Sequence, residues 1–171
     1  MKIWIVRHAH AVTEEENPER PLSAEGREAC RRLAEFFRRN GLLASAATVW
    51  HSPLVRARET AEVLRAELAP DAMLTETGGL LPGDDPAPVA DRLEQQEGNV
   101  MIVGHEPQLS ALATLLVRGK LKPAAFDLKK GAIVELELAG GRHKKSARCR
   151  WHVRWHFSPE LLRPAEVREK K

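Results

Sequence analysis

The stretch KIWIVRHAHA, residues 2–11, indicates the fold most directly. It begins with a short apolar run, 2–6, which ends at Arg7 and His8. A run of this length is too short to span a membrane, and it lacks the layout of a signal peptide, so it predicts a buried first strand. We therefore expect a cytoplasmic protein, with Arg7 and His8 at the exit of that strand.

The chain then repeats the pattern of a short apolar run followed by a longer helical segment. Periodicity predicts strands at 2–6, 48–51, 72–75 and 100–103, helices at 24–39, 53–68, 89–97 and 107–117, and a Gly- and Pro-rich loop at 78–88. Ser23 is a suitable N-cap for the first helix. Such alternation is typical of an α/β fold, here a three-layer α/β/α domain with a mainly parallel central sheet.

The last part of the chain changes to a period of two. Apolar residues alternate with Glu135 and Glu137 over 133–138, and with His and Arg residues over 151–157. This pattern predicts two half-buried strands whose charged residues share a solvent-exposed face. Because the alternation buries the tryptophans, it argues against a nucleic-acid platform. The basic loop 142–150 remains available for an acidic partner.

Length and composition indicate one domain. The 171 residues carry a formal net charge of +3, which is too small to indicate nucleic-acid binding. We expect a single domain at 1–163 and a polar C-terminal tail at 164–171. Cys30 and Cys149 lie far apart and suggest neither a disulfide framework nor a metal site, and Cys30 falls on the apolar side of its helix.

Histidine and arginine residues follow three of the predicted strands. Ligands of parallel sheets bind beyond the carboxyl ends of the strands, where Arg7, His8 and His105 would meet. Arg56 in the second helix could join them. Arginine suits a phosphoryl group because its planar fork donates two parallel hydrogen bonds, and a neutral imidazole can attack phosphorus in line. The pattern therefore predicts phosphate chemistry.

Four stretches in this order carry a resemblance to a known family. They are VRHAHA at 6–11, RPLSAEGREA at 20–29, SPLVRARETAE at 52–62 and VGHEPQL at 103–109. The sequence resembles the histidine phosphatase superfamily, also called phosphoglycerate mutase-like, and most of all its short SixA-type phosphohistidine phosphatases. The endings GAIVELEL and WHVRWHFSPELL are similar as well. The resemblance implies the phosphoglycerate mutase-like fold and a phosphatase that acts without a cofactor.

The resemblance also implies roles for individual residues. His8 matches the phosphoacceptor, and Arg7, Arg56 and His105 match the phosphate-binding catalytic residues. Two departures are Ala9, where much of the superfamily has Gly, and Gly79, where SixA-type sequences tend to carry an acidic residue. Asp84 and Glu76 lie near that position and are the candidates for a general acid.

The short segment between Arg56 and His105 leaves little material to close over a small substrate. We therefore expect a phosphorylated protein of the histidine phosphotransfer type as the substrate, with no nucleic-acid or membrane partner. A phosphatase for small phosphoesters or nucleotides and a catalytically silent phosphoprotein-binding module are the alternatives.

His8 and His10 could form half of a metal site, but no further ligand spacing completes it, so we expect no metal.

Overall fold

The structure is a computed structural model that describes residues 1–43, 45–142 and 148–162. The predicted tail and most of the basic loop 142–150 lie outside the described residues. The elements are β1 (Lys2–Arg7), α1 (Ala24–Arg39), β2 (Ala46–His51), α2 (Val55–Leu68), β3 (Met73–Glu76), α3 (Ala87–Glu94), β4 (Asn99–Gly104), α4 (Gln108–Arg118), β5 (Ile133–Arg142), β6 (Cys149–Phe157) and a 3₁₀ helix (Pro159–Leu162). Within these ranges, no helix has the length and apolar character that crossing a membrane requires.

The strands form one sheet in the order β3-β2-β4-β1-β5-β6. Four of them, β1 to β4, pair in parallel, whereas β5 is antiparallel to β1 and β6 is antiparallel to β5. This arrangement confirms the predicted α/β fold with a mainly parallel sheet. All four predicted strand–helix pairs and both C-terminal strands lie where the periodicity indicated, with shifts of a few residues at the ends of elements.

The two faces of the sheet are covered by different helices. Ile3 and Ile5 of β1 belong to a core cluster that includes residues of α3 and α4. Trp4 and Val6 belong to a second cluster, with residues of α1 and α2. Because side chains alternate along a strand, β1 contributes to both cores, and the domain has three layers.

Glu135 corrects the prediction for β5. We expected it on a solvent-exposed face, but its exposed fraction is 3%. Its carboxylate accepts a 2.8 Å hydrogen bond from Trp4 Nε1 and lies 3.1 Å from Lys2 Nζ. Glu137, by contrast, pairs with Arg154 at 3.2 Å near the surface, as the alternation indicated. The difference arises because β5 lies between β1 and β6, so the side chain of Trp4 covers one of its two acidic residues.

The strict alternation predicted for β6 is wrong at Val153, which is 43% exposed. An irregularity shifts the register, so that Glu135 pairs with Trp155 but the next residue, Leu136, pairs with Val153. Trp155 nevertheless stacks on Phe37 with ring centroids 5.4 Å apart. The bulge therefore turns Val153 outward at the edge of the sheet, while Trp155 and Phe157 pack on the phenylalanines of α1.

The start of α1 is joined tightly to the loop that follows β1. Ser23 Oγ accepts a 3.0 Å hydrogen bond from Gly26 N, and Ser23 N donates to the carbonyl of His10 at 3.1 Å. A Cβ atom at Gly26 would lie 2.0 Å from that same carbonyl oxygen. Only a residue without a side chain fits this contact, so α1 positions the segment that carries His8.

We expect Gly26→Ala to destabilise the protein, although the same change in an open helix position is favourable by up to about 1 kcal/mol. The new methyl group would collide with main-chain atoms rather than with a flexible side chain, which costs on the order of 1–3 kcal/mol or more. Urea unfolding would measure the change. Gly83→Ala is the matched control, because no atom lies within 4 Å of the added Cβ. Equal stabilities of the two variants would contradict the contact.

Candidate active site

Parallel pairing brings the predicted site residues to one edge of the sheet. Arg7 is in register with Gly104, and His8 N donates to the Gly104 carbonyl at 3.0 Å. The rings of His8 and His105 consequently lie with their centroids 4.9 Å apart. Arg56, in the first turn of α2, is close enough for its charge to lower the pKa of both rings. The four residues identified from the sequence therefore form one cluster.

The His8 ring is buried and held in one tautomer. Its Nδ1 lies 2.7 Å from the carbonyl oxygen of Ala9. Since a carbonyl only accepts hydrogen bonds, the ring proton of the neutral form is assigned to Nδ1, and the lone pair is on Nε2. Burial lowers the pKa of His8 to about 4, and the charges of Arg56, Arg7 and Lys130 act in the same direction, whereas the Ala9 carbonyl opposes them. The ring is therefore neutral near neutral pH.

His105 is also buried, and its two ring nitrogens have different surroundings. Nε2 lies 2.9 Å from the hydroxyl of Ser52. Nδ1 is buried and has no hydrogen-bond partner in the described part of the chain. Burial, followed by the charges of His8, Arg56 and Arg7, lowers the pKa of His105 to about 3. A neutral ring whose Nε2 accepts from Ser52 would carry its proton on Nδ1, ready to donate to a ligand oxygen.

The two arginines are available for an anion. Arg7 Nη1 donates to the Leu128 carbonyl at 2.6 Å, while its buried Nε has no partner among the described residues. Arg7 and Arg56 form no ion pair with a described carboxylate. Burial, and then the charge of Arg20, lower the pKa of Arg56. The site thus concentrates unpaired positive charge beside two neutral imidazoles, which suits a phosphoryl group.

Three charged residues of this region were not identified from the sequence. Arg20 approaches Arg56, and Lys130 approaches His8, closely enough to affect their pKa values. Glu106 follows His105, and burial raises the pKa of its carboxyl group, against the opposing effects of Ser110 and Arg7. Arg20 and Glu106 belong to motif stretches already noted, and their charge within those motifs could have identified them as site residues. Lys130 lies in the loop between α4 and β5, and no sequence pattern singles it out.

The loop after β3 lies against the site, but the two acidic candidates in it are not tied to the cluster. Gln108 Nε2 donates to the Gly79 carbonyl at 2.6 Å, and Gly79 has a φ of +86° that favours glycine. Asp84 is half-buried, and its carboxylate accepts from the main-chain N–H of Leu81 at 2.8 Å. Glu76 is the exposed last residue of β3. Among the described contacts, no hydrogen bond or ion pair joins either carboxylate to the two histidines.

The described side-chain hydrogen bond of His10 joins it to the start of α1 and not to this cluster. Its Nδ1 lies 2.9 Å from Ser23 Oγ at the start of α1, and the residue is exposed. In the ranges that the structure describes, no group of three or more His, Cys, Asp or Glu residues could hold a metal ion.

Comparison with known proteins identifies the family. Residues 3–80 match the histidine phosphatase superfamily (branch 1). An uncharacterized protein of Picosynechococcus sp. (strain ATCC 27264 / PCC 7002 / PR-6) is 30% identical over 150 residues, which cover 83% of this chain and 88% of that protein. The chain belongs to the histidine phosphatase superfamily. As a member it is a phosphatase, in agreement with the cluster of histidines and arginines.

Solved structures confirm the phosphoglycerate mutase-like fold of this superfamily member. The protein histidine phosphatase SixA, complexed with tungstate, superposes with a TM-score of 0.78 at 23% identity and covers 95% of this chain and 100% of its own. A mycobacterial glucosyl-3-phosphoglycerate phosphatase complexed with VO3 gives a TM-score of 0.68 at 15% identity, covering 90% and 97%. At such identities the likeness concerns the fold.

The lowered pKa values of His8 and His105 predict a pH-dependent stability of this phosphatase. The ordinary value is 6.5, whereas the folded values are about 4 and about 3. Below pH 6.5 the unfolded state therefore binds more protons, so the contribution of the two rings is complete above 6.5 and decreases as the pH falls toward 4. The slope is at most about 1.4 kcal/mol per pH unit for each ring.

Urea unfolding over this pH range would measure the effect. A variant carrying both His8→Asn and His105→Gln isolates the two rings from the carboxylates, which titrate in both proteins. We expect a smaller loss of stability on acidification in the double variant. Parallel curves for the parent and the double variant would show that the rings are not held neutral.

Proposed function

We propose that this phosphatase removes the phosphoryl group from protein phosphohistidine through a covalent phospho-His8 intermediate. The His8 ring carries the proposal. It is buried and neutral, its Nδ1 is bonded to the Ala9 carbonyl, and its Nε2 has no hydrogen-bond partner among the described residues. A neutral imidazole fixed in this tautomer is a nucleophile that needs no separate base.

The reaction then proceeds in two displacements. The lone pair of His8 Nε2 forms a bond to phosphorus as the bond between phosphorus and the substrate nitrogen breaks. That electron pair returns to the substrate imidazole, which takes a proton from water. Water next attacks phospho-His8, the bond from Nε2 to phosphorus breaks with its electron pair returning to the ring, and inorganic phosphate leaves. The proton that the attacking water gives up neutralises the hydroxide formed when the substrate imidazole was protonated.

The surrounding residues stabilise the charge on the transferring group. Arg7 and Arg56 are unpaired guanidinium groups that can bind phosphoryl oxygens bidentately. His105 Nδ1, whose lack of a partner would otherwise cost free energy, can donate to a third oxygen. The Ser52 hydroxyl, which lies 2.9 Å from Nε2, can donate to that nitrogen and is compatible with that tautomer. These donors are in position before the reaction, so little reorganisation is needed when charge develops.

Two observations support protein phosphohistidine as the substrate. Between the end of α2 and the start of β4 the chain contains only the short strand β3, a loop and the eight-residue helix α3, so little chain is available to enclose a metabolite. The fold is also similar to that of the protein histidine phosphatase SixA. A phosphatase of small phosphoesters is the second candidate, because the glucosyl-3-phosphoglycerate phosphatase has the same fold.

We predict that His8→Ala abolishes turnover of a phosphohistidine protein while the fold remains intact. Brief reaction of the parent with ³²P-labelled phosphohistidine protein, followed by denaturation, should trap an acid-labile label that His8→Ala does not acquire. His152→Ala is the control, since His152 is an exposed residue of β6. A trapped label of equal intensity in the His8 variant would overturn the assignment of the nucleophile, and a parent without turnover or label would favour the silent binding module.

We further predict a steep dependence of rate on the leaving group. A general acid typically contributes a factor on the order of 10²–10⁴ for poor leaving groups. The exposed Glu76 and the half-buried Asp84 and Glu106 are the acids we propose to compare, and none is joined to His8 by a described hydrogen bond. Phosphohistidine and aryl phosphates should therefore react much faster than serine or sugar phosphates, because their leaving groups need no strong acid.

Rates for a series of phosphoesters, plotted against leaving-group pKa, would test this prediction. Asp84→Asn, Glu76→Gln and Glu106→Gln should leave the phosphohistidine rate within a few-fold of the parent. If alkyl esters react as fast as aryl esters, an effective acid exists, and the variant that loses alkyl-ester activity alone identifies it. The small-phosphoester candidate would then be preferred.

A further inference from the structure

A cavity of about 520 Å³ lies beside the phosphoryl site. It is bounded by α1, by residues 129–131 and by the 3₁₀ helix, Pro159–Leu162. Arg7 and Ala9 belong to its wall, whereas His8, Arg56 and His105 do not. The cavity is therefore a neighbour of the catalytic cluster rather than part of it. Its volume is in the range of ligand-binding pockets and far exceeds that of a phosphoryl group.

Positive charge dominates the polar part of the wall. Arg32, Lys129 and Lys130 line it together with Arg7, against two carboxylates, Glu25 and Glu160. Within the described residues, Arg32 and Lys130 make no ion pair or hydrogen bond, and Lys129 pairs only with the exposed Asp127 at 3.3 Å. Cations without partners around a concave surface attract an anionic ligand.

The floor of the cavity is apolar. Ala29, Leu33, Pro159 and Leu162 contribute to it, together with the thiol of Cys30. Burial raises the pKa of that thiol to about 12, so it is not a nucleophile. An occupant that fits this lining has carboxylates for the basic rim and an apolar group for the floor.

We propose that this cavity binds an acidic segment of the phosphoprotein, with one apolar side chain on the floor, while the phosphoryl group is at His8. The inference rests on the proposed function and names the chemistry of the partner. A polypeptide can place a carboxylate, an apolar side chain and a phosphohistidine side by side, which matches the sharing of Arg7 and Ala9 between the two sites. The charge of Lys130, which reaches His8, would act on both groups.

Inhibition of aryl phosphate hydrolysis tests the cavity without requiring phosphohistidine turnover. The probe is a short unphosphorylated peptide with glutamates on both sides of a His-Leu pair, compared with the same peptide carrying glutamines. We expect the acidic peptide to inhibit the parent more strongly, and less so at high salt, because the rim is solvent-exposed.

Arg32→Glu should weaken inhibition by the acidic peptide by about three- to tenfold, since it replaces attraction by repulsion at an exposed position. Arg31→Glu is the matched control. It makes the same charge change on the same helix, but Arg31 does not line the cavity and instead lies 3.9 Å from Glu28. Inhibition by the acidic peptide should therefore be unchanged in Arg31→Glu. Equal loss in both variants, or equal inhibition by acidic and neutral peptides, would overturn the proposal.

A second measurement separates failure of the cavity from failure of the proposed function. Phosphohistidine peptides with glutamate or glutamine flanks should differ in KM for the parent and for Arg31→Glu, and much less for Arg32→Glu. If aryl phosphate is hydrolysed but neither phosphopeptide is, the proposed substrate is wrong, and the inhibition experiment still decides the cavity. If citrate competes as well as the acidic peptide in an Arg32-dependent way, the cavity binds small anions and the polypeptide proposal is overturned.

Discussion

The parallel pairing of β1 with β4 is the constraint on which the site depends. Its register places Arg7 opposite Gly104, and one further main-chain hydrogen bond, from His8 N to the Gly104 carbonyl, extends the pairing past the strand end. Two histidines that are distant in the sequence are thereby held ring against ring. Since β2 pairs with the other side of β4, the turn into α2 arrives at the same edge with Ser52 and Arg56.

Burial and the neighbouring guanidinium groups both disfavour the protonated form of the two imidazole rings. The protein therefore keeps both rings neutral and satisfies only part of their hydrogen-bonding capacity, through the Ala9 carbonyl and the Ser52 hydroxyl. The same arrangement leaves Arg7 Nε and His105 Nδ1 buried without a hydrogen-bond partner among the described residues. The unpaired arginines and the unsatisfied donors therefore reduce the stability of the free protein, and a bound anion would neutralise their charge.

The sequence predicted the site better than its surroundings. Arg7, His8 and His105 follow buried apolar runs, and strand ends in a parallel sheet meet by geometry, so their proximity could be inferred locally. Burial of Glu135 depends on which strand lies beside β5, and exposure of Val153 depends on a bulge in β6. Neither is encoded in a period of two. Glu106 lies in the motif VGHEPQL, but its partial burial depends on tertiary packing, which sequence periodicity does not describe.

The buried thiol of Cys30 has a consequence for chemical robustness. Phosphatases that attack with a cysteine thiolate are open to oxidation by peroxide, because the property that makes sulfur nucleophilic also makes it oxidisable. Here the proposed attacking atom is a ring nitrogen, and the thiol of Cys30 in the neighbouring cavity is held protonated by its burial. Oxidants that inactivate thiol-dependent phosphatases would therefore leave the proposed reaction unaffected, and its rate would be the same under reducing and oxidising conditions.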